Sequence, residues 1–429
     1  MGWLKSLRHR LSGGLGPNYW KLWGASASSN LADGVFWIAF PLLAVRLTDS
    51  PVLVAGITVV GRLPWLVFVL VAGALADRLD RRRTMVGVAA LRAVIAGGLA
   101  VGIAMGIVGL PVMYLAAFVL GVGETLFDTA AQSIMPSLVD RDRLSQANGR
   151  LYAVELTMNQ FVGPPLGGLL AGVAIALAFA GSSAAFVVGA IALASLTGSF
   201  RPAPAARETS VVEEIREGLG YLFSHRLLRT LALMVGVMNL SSSAVFAVFV
   251  LYAVAPGPMG LDETGFGILM SSLAIGSIVG SFVVERIERA LGRTRILVVA
   301  VILSAAMSAV PGLTANPWIV GAAFALSGVG IVMWNVVTVS LRQRIVPDRL
   351  LGRLNASYRL LAWGSQPLGA LLGGAIGEVL GLPAVFLMAA LLTVLLLLAF
   401  RIVTDRAIAA AEADAEPAPE VGRAVSAAS

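Results

Sequence analysis

Gly73-Ala74-Leu75-Ala76-Asp77-Arg78-Leu79-Asp80-Arg81-Arg82-Arg83 decides the fold. A membrane-length apolar stretch runs into a single acid and then into a block of arginines. A basic cluster this dense at the end of an apolar segment resists crossing a bilayer and marks the cytoplasmic side. The segment reads as the inner end of a membrane-spanning helix, and the chain around it as a membrane protein.

Composition agrees. Of 429 residues, 58% are hydrophobic and 13% charged. A soluble domain carries about a quarter charged residues, so a soluble globule is excluded. No cysteine is present, which excludes disulfides, Cys-based zinc sites and thiolate catalysis. His9 and His225 both fall in basic segments and read as solvated loop residues. No His/Asp cluster, activated nucleophile or phosphate-binding Gly-x-x-x-x-Gly-Lys-Ser/Thr loop occurs, so neither catalytic nor metal residues are expected, nor a cofactor. Energy for any transport must come from an ion gradient. The net charge of +7 suits the anionic headgroups of one leaflet rather than nucleic acid. The first apolar stretch is too long for a signal peptide and contains Asp33, so it is expected to remain as an anchor.

A spanning helix needs about 20 apolar residues. Twelve stretches qualify, at 20–46, 51–76, 84–107, 110–135, 151–175, 178–200, 229–254, 265–285, 295–314, 318–340, 355–377 and 380–402, here spans 1 to 12. Very short connections at 47–50, 107–110, 315–317 and 378–380 imply antiparallel neighbours. An even number of spans puts both termini on one side. That side collects Lys5, Arg8, Arg10, Arg78 to Arg83, Arg141, Arg143, Arg150, Arg286 to Arg295 and Arg342 to Arg359, while the other has only Arg46. This asymmetry predicts a multi-pass cell-membrane protein with both termini in the cytoplasm.

The fold class is therefore an all-α membrane protein of twelve transmembrane helices in two pseudo-symmetric six-helix halves. Residues 1–200 form the first half and 230–404 the second. Residues 201–229 form a cytoplasmic linker, within which 212–222 has the apolar spacing of an interfacial helix. The Ala-, Glu- and Pro-rich tail 405–429 is expected to be disordered. A weak repeat supports the division. Val139-Asp140-Arg141-Asp142-Arg143-Leu144-Ser145-Gln146-Ala147-Asn148 recurs as Val346-Pro347-Asp348-Arg349-Leu350-Leu351-Gly352-Arg353-Leu354-Asn355. Each copy precedes a helix with a Pro-Leu-Gly step, Pro165-Leu166-Gly167 and Pro367-Leu368-Gly369.

These features together resemble the major facilitator superfamily, in the exporter branch that holds macrolide efflux pumps and enterobactin-type siderophore exporters. The resemblance covers nearly the whole chain. It is carried by Asp33-Gly34 with Pro41-Leu42-Leu43; by Pro64 and the Gly73–Arg83 segment, similar to the family's loop 2–3 signature; by Gly121-Val122-Gly123-Glu124 with Asp128; by Pro136 through Asn148; by Gly163-Pro164-Pro165-Leu166-Gly167-Gly168; and by Glu214, Glu217-Gly218-Leu219 and Tyr221 through Arg229. Asp80 stands where that signature has glycine, and the span 4 arginine of many drug antiporters is absent. The resemblance implies alternating access to a site between the halves, lined by spans 1, 4, 7 and 10. It implies an antiporter motif at Gly163, Pro164, Gly167 and Gly168. It also implies a cytoplasmic gate in which Gly73, Asp77, Arg78, Arg81 and Arg82 meet Asn355 and Arg359 at the start of span 11.

Residues within the spans carry the candidate chemistry. Gly163 and Gly167 are four apart, which allows close approach to a neighbouring helix. Pro164 and Pro165 remove two backbone donors. Charges inside a membrane cost about 2.5–3.5 kcal/mol each on insertion scales, so each is a functional candidate. They are Asp33, Arg62, Arg92, Glu124, Asp128 and Glu155. Helix rise places Asp33, Arg62 and Glu124 roughly 20 Å from the cytoplasmic ends, and Arg92 with Asp128 roughly 12 Å. This ladder pairs Arg92 with Asp128 as a static ion pair. It leaves Asp33 and Glu124 facing one arginine, Arg62, which is what a proton carrier needs. The second half has no acid in mid-helix. Asn239, Ser242, Trp334, Asn335, Trp363 and Gln366 are its candidate cavity residues, suited to an uncharged bulky substrate. The expected function is proton-coupled export of a hydrophobic or amphipathic small molecule by a monomer in a lipid bilayer. An importer of the same fold and a non-transporting membrane protein are the alternatives.

Overall fold

The computed structural model describes residues 15–68, 79–140, 143–198, 200 and 211–415. Span 1 is Gly16–Ala44, span 2 Pro51–Val67, span 3 Arg81–Ala104 and span 4 Leu110–Ile134. Span 5 begins as Leu144–Leu156, passes through a π-helical turn at Thr157–Val162 and continues as Gly163–Val173. Span 6 is Ile175–Ala194. A linker helix, Val211–Ser224, leads to span 7, Arg226–Ala253. Spans 8 to 11 are Glu263–Leu291, Arg293–Leu313, Pro317–Ile345 and Asp348–Leu380. Span 12 is Leu382–Leu395, closing in a 3-10 stretch to Arg401. The twelve spans and two halves match the sequence reading.

Local chemistry sets where these helices start. Asp80 accepts from the Arg83 amide at 3.0 Å, so the residue that replaces the family's glycine is the N-cap of span 3. Ser50, Asp262 and Asn316 cap spans 2, 8 and 10 in the same way. Proline in the first turn follows at spans 2, 10 and 12, where its missing N–H costs nothing.

Among the described residues, eight helices are long and apolar enough to cross a membrane. The four that fall short are spans 1, 2, 5 and 11. Span 1 carries Ser26 to Asn30 and Asp33, span 2 is described over a short length, span 5 is interrupted by its π turn, and span 11 opens with charged residues. Spans 1, 2, 5 and 11 all contribute to the site or its seams.

The core explains how the halves sit. At the terminal face, the end of the bundle carrying the first and last described residues, each half has its own apolar cluster. One gathers Tyr19, Met85, Phe127 and Leu193, the other Leu228, Ile296, Val337 and Leu354. At the opposite face one cluster runs across both halves, from Phe36, Leu42 and Phe179 to Phe249, Phe324 and Phe386. The halves are fused at the opposite face and separately packed at the terminal face.

Two segments carry contacts that the sequence does not show. The linker helix, expected at the membrane interface, packs on the bundle. Gly218 packs against the backbone of Arg353, Glu217 pairs with Arg353 and Leu222 is fully buried, so the helix docks on the start of span 11. The expected disorder of the tail does not hold for Asp405–Ala415, which is helical. Asp405 accepts from the Thr294 amide (3.1 Å) and hydroxyl (2.8 Å), and Glu412 pairs with Arg293 (2.6 Å) and Arg344 (3.3 Å). Ile408 and Ala411 are buried beneath them. The remainder of the tail, 416–429, lies outside the described residues.

Candidate functional site

A cavity of about 440 Å³ lies between the halves. Its wall in the first half holds Asp33 on span 1, Arg62 on span 2, Arg92 on span 3 and Glu124 on span 4. Its wall in the second half holds Asn239, Ser242, Ser243, Phe246 and Gln366, with no acid or base among the described residues. Spans 2 and 3 thus contribute arginines to the cavity, although the family resemblance set those helices further out.

The ion pairing differs from the depth ladder. Arg92 donates to Asp33, not to Asp128. Its other terminal nitrogen donates to Ser29 Oγ at 3.2 Å, and its guanidinium stacks 4.2 Å from the Phe186 ring centroid. Arg92 is 2% exposed, so the guanidinium end of the pair is buried while the Asp33 carboxylate borders the cavity. A rise-per-residue ladder ignores the length of the arginine side chain, whose stem reaches along the bundle. Gly123 makes room for that stem, since a Cβ there would meet Arg92 Cδ at 3.0 Å. Asp128 and Glu155 do not line the cavity. Asp128 lies one turn below Glu124 towards the terminal face, and Glu155 is exposed on the first part of span 5.

Three residues expected in the cavity lie elsewhere. Trp334 is buried in the second half's own core. Asn335 beside it is exposed and one turn below Ile331, the span 10 residue that does line the cavity. Trp363 packs edge-on against Trp65 of span 2, ring centroids 5.1 Å apart, with Arg359 4.8 Å above it. Of the expected gate, Gly73, Asp77 and Arg78 lie outside the described residues. Arg82 donates to the Ala194 carbonyl and the Arg81 amide bonds Phe200, both within the first half, so neither meets Asn355 or Arg359 here.

Glycines fix the seams. Gly163 and Gly167 face span 1, where added Cβ atoms would lie 2.5 Å from Gly34 Cα and 3.0 Å from the Val35 carbonyl. Gly168 faces the other half: a Cβ there would lie 2.6 Å from the Glu263 carbonyl and 2.9 Å from Gly267 Cα on span 8. In span 11, Gly369 and Gly373 face span 7 backbone, and Gly374 meets Ala55, Pro51 and Val52 of span 2. The two half-crossing seams, span 5 on span 8 and span 11 on span 2, close the opposite face. Polar contacts reinforce them, Arg46 with Glu263 (2.6 Å) and Ser50 with Glu378 (2.6 Å). Trp37 on Phe246, 5.8 Å between centroids, joins the halves at the cavity itself.

These contacts also correct the repeat register. Gly163, Gly167 and Gly168 play the parts of Gly369, Gly373 and Gly374. The Pro-Leu-Gly steps are therefore offset by four residues, about one turn, which preserves the helix face and so misleads a sequence match. Gly121 meets Gly61 as Gly328 meets Leu273, and Gly163 meets Gly34 as Gly369 meets Leu240. Carried along each helix, this register makes Asp33 the counterpart of Asn239, Arg62 of Ala274 and Glu124 of Ile331. All six line the cavity. Charge occupies one half of each pair only. Sequence reasoning missed the cavity residues Trp37, Asn159, Gln160 and Phe246. The glycine register points to Gln160, which stands three residues before Gly163 as Gln366 does before Gly369.

Comparison with known proteins fits this architecture. Residues 17–428 match the family described as transmembrane secretion effector, and the chain belongs to that family of major facilitator transporters. It is 28% identical over 381 residues to the multidrug efflux pump Tap of Mycolicibacterium fortuitum, covering 85% of this chain and 90% of that one. It is 25% identical over 350 residues to the enterobactin exporter EntS of Citrobacter koseri, covering 81% and 82%. Among solved structures it resembles a bacterial homologue of the iron transporter ferroportin in the inward-facing state (TM-score 0.68, 18% identity, 89% and 98% covered). It also resembles the nucleoside transporter NupG (TM-score 0.69, 12% identity, 90% and 98% covered). At these identities the two structures speak to the fold alone.

Proposed function

We propose that this transporter is a proton-coupled antiporter that exports a hydrophobic or amphipathic small molecule across the cell membrane, with both termini cytoplasmic. The observation that carries the reading is the one-sided charge of a pseudo-symmetric cavity: Asp33, Arg62 and Glu124 face Asn239, Ala274 and Ile331. A site that only holds an apolar compound has no need of buried charges, which are expensive in a membrane. Export is supported by the relatives, a multidrug efflux pump and a siderophore exporter.

Glu124 is the proton carrier in this reading. It lines the cavity and has no ion-pair partner among the described residues, whereas Asp33 is held by Arg92. Protonating Asp33 would release Arg92, and Asp33 links proton loading to helix movement. With the termini inside, the fused face is external and the cargo enters from the cytoplasmic or inner-leaflet side. One proton returning down the potential supplies about 2.3 kcal/mol per 100 mV. Asp77, at the end of the second apolar stretch of the sequence, acts in this reading as a gate latch and not as a cargo ligand.

The test is substrate-induced proton release from purified protein in detergent, with a compound panel. Wild type releases protons, and Glu124→Gln abolishes both release and uphill export while sparing binding. If Asp33→Asn and Glu124→Gln both release protons as wild type does, the coupling site is elsewhere, with Asp128 and Glu155 next. If wild type releases none, the antiport reading fails.

A further inference from the structure

Gln160 and Gln366 occupy equivalent places in the two halves. Gly163 abuts span 1 as Gly369 abuts span 7, and each glutamine stands three residues before its glycine. Both line the central cavity. Among the described residues, neither side-chain amide is hydrogen-bonded; Ser243 Oγ donates to the main-chain carbonyl of Gln366 at 2.7 Å. The charged positions of the cavity have neutral partners across the pseudo-twofold, but this position repeats the same side chain.

The π turn sets that repeat. Gly163 stands fifteen positions after Asn148, whereas Gly369 stands fourteen after Asn355. The one extra residue in span 5 falls where the helix widens to its π turn, Thr157–Val162. Such turns re-aim side chains locally and recur at functional sites. Here the turn carries Gln160, and Asn159 beside it, onto the cavity wall.

An amide offers two N–H donors and one carbonyl acceptor, and does not change charge with pH. In an open, wet cavity it is satisfied by water. When the halves close around a cargo, that water leaves, and an amide with no partner then carries a desolvation penalty of about 1–3 kcal/mol. A cargo that returns the lost hydrogen bonds removes the penalty; one without such groups does not. Two amides, one from each half, make the requirement two-sided.

We propose that Gln160 and Gln366 form an amide clamp that selects neutral, carbonyl-bearing amphiphiles and is bridged by the cargo when the halves close. The inference deepens the exporter reading by naming its substrate class, and rests on that reading only for the direction of movement. Discrimination comes from the neutral pair, and proton coupling from the acids of the first half.

The experiment uses purified full-length protein and two radiolabelled probes. Progesterone is a neutral amphiphile with a ketone at each end; tetraphenylphosphonium is a cation of comparable bulk with no hydrogen-bonding group. Gln160→Met and Gln366→Met keep side-chain length while removing the amide. Each is expected to weaken progesterone binding about fivefold, and the pair at least tenfold, with tetraphenylphosphonium changed less than twofold. Equal loss of both probes, or unchanged progesterone binding in the double variant, overturns the proposal. So does a wild-type protein that binds tetraphenylphosphonium and not progesterone, or neither. If Gln160→Met fails to fold because it lies in the π turn, Gln366→Met in regular helix decides the matter alone. If the selective loss is seen but proton-driven efflux of progesterone is not, the exporter reading fails and the clamp stands.

Discussion

Adding one methyl group at Gly168 should unlock the opposite face of this transporter. Its Cβ would lie 2.6 Å from the Glu263 carbonyl and 2.9 Å from Gly267 Cα, against an ordinary contact of 3.4–4 Å. Both obstacles are backbone, so no side chain can turn aside, and spans 5 and 8 must part by about 1 Å. Overpacking of this kind costs about 1–3 kcal/mol. The cost falls only on the state with that face shut, because the seam joins the two halves. A differential of that size shifts the ratio of states about 5- to 150-fold. The chain has no cysteine, so Ser242→Cys gives a single reporter on the cavity wall. Labelling by a membrane-impermeant maleimide applied to the opposite face should accelerate by at least fivefold in Gly168→Ala. Gly163→Ala is the control: its Cβ would lie 2.5 Å from Gly34 Cα, a clash inside one half. That variant should lower thermal stability and leave labelling unchanged. Equal labelling of Gly168→Ala and wild type, or equal acceleration by Gly163→Ala, refutes the assignment of Gly168 to the half-crossing seam.

Other outcomes follow from the same geometry. Asp33→Asn leaves the Arg92 guanidinium buried without its counter-charge, at a cost of about 3–5 kcal/mol, and adding Arg92→Gln should restore much of the melting temperature; a double variant no better than the single one counts against the pair. Ser224→Cys should label from the cytoplasm and Met105→Cys from outside, and the reverse pattern would invert the topology. His225 caps span 7 through Nδ1, accepting from the Leu228 amide at 3.4 Å, and burial holds its pKa below 6.5. Because the folded pKa is depressed, its contribution is present above pH 6.5 and lost as pH falls through the folded value, so stability in detergent should drop on acidification through that window; His225→Asn, which caps at any pH, should flatten the drop. Asp77→Asn should slow turnover with substrate affinity nearly unchanged, and a large loss of affinity would remove its role as a latch.

Much of this protein was written in the one-dimensional pattern. Apolar length and the one-sided placement of arginine gave twelve spans and two halves, because a bilayer imposes both constraints on every segment separately. The cavity acids were legible for the same reason: Asp33 and Glu124 are costly wherever they lie in a membrane, so their presence alone marked them. What the sequence could not settle was anything that depends on two helices at once. It paired Arg92 with Asp128, whereas the packing of spans 1, 3 and 6 brings Arg92 to Asp33 beneath Phe186. It placed Trp334 in the cavity, whereas the position faces the core of its own half. It read the tail as disordered, whereas Arg293, Thr294 and Arg344, all distant in sequence, hold Asp405 and Glu412. It aligned the Pro-Leu-Gly steps one turn out, because a helix looks the same after a full turn and only the glycine contacts with neighbouring spans fix the axial register. Burial cost is local to a residue and so is readable in sequence; partners, seams and register are properties of pairs of helices, and the tertiary structure alone decides them.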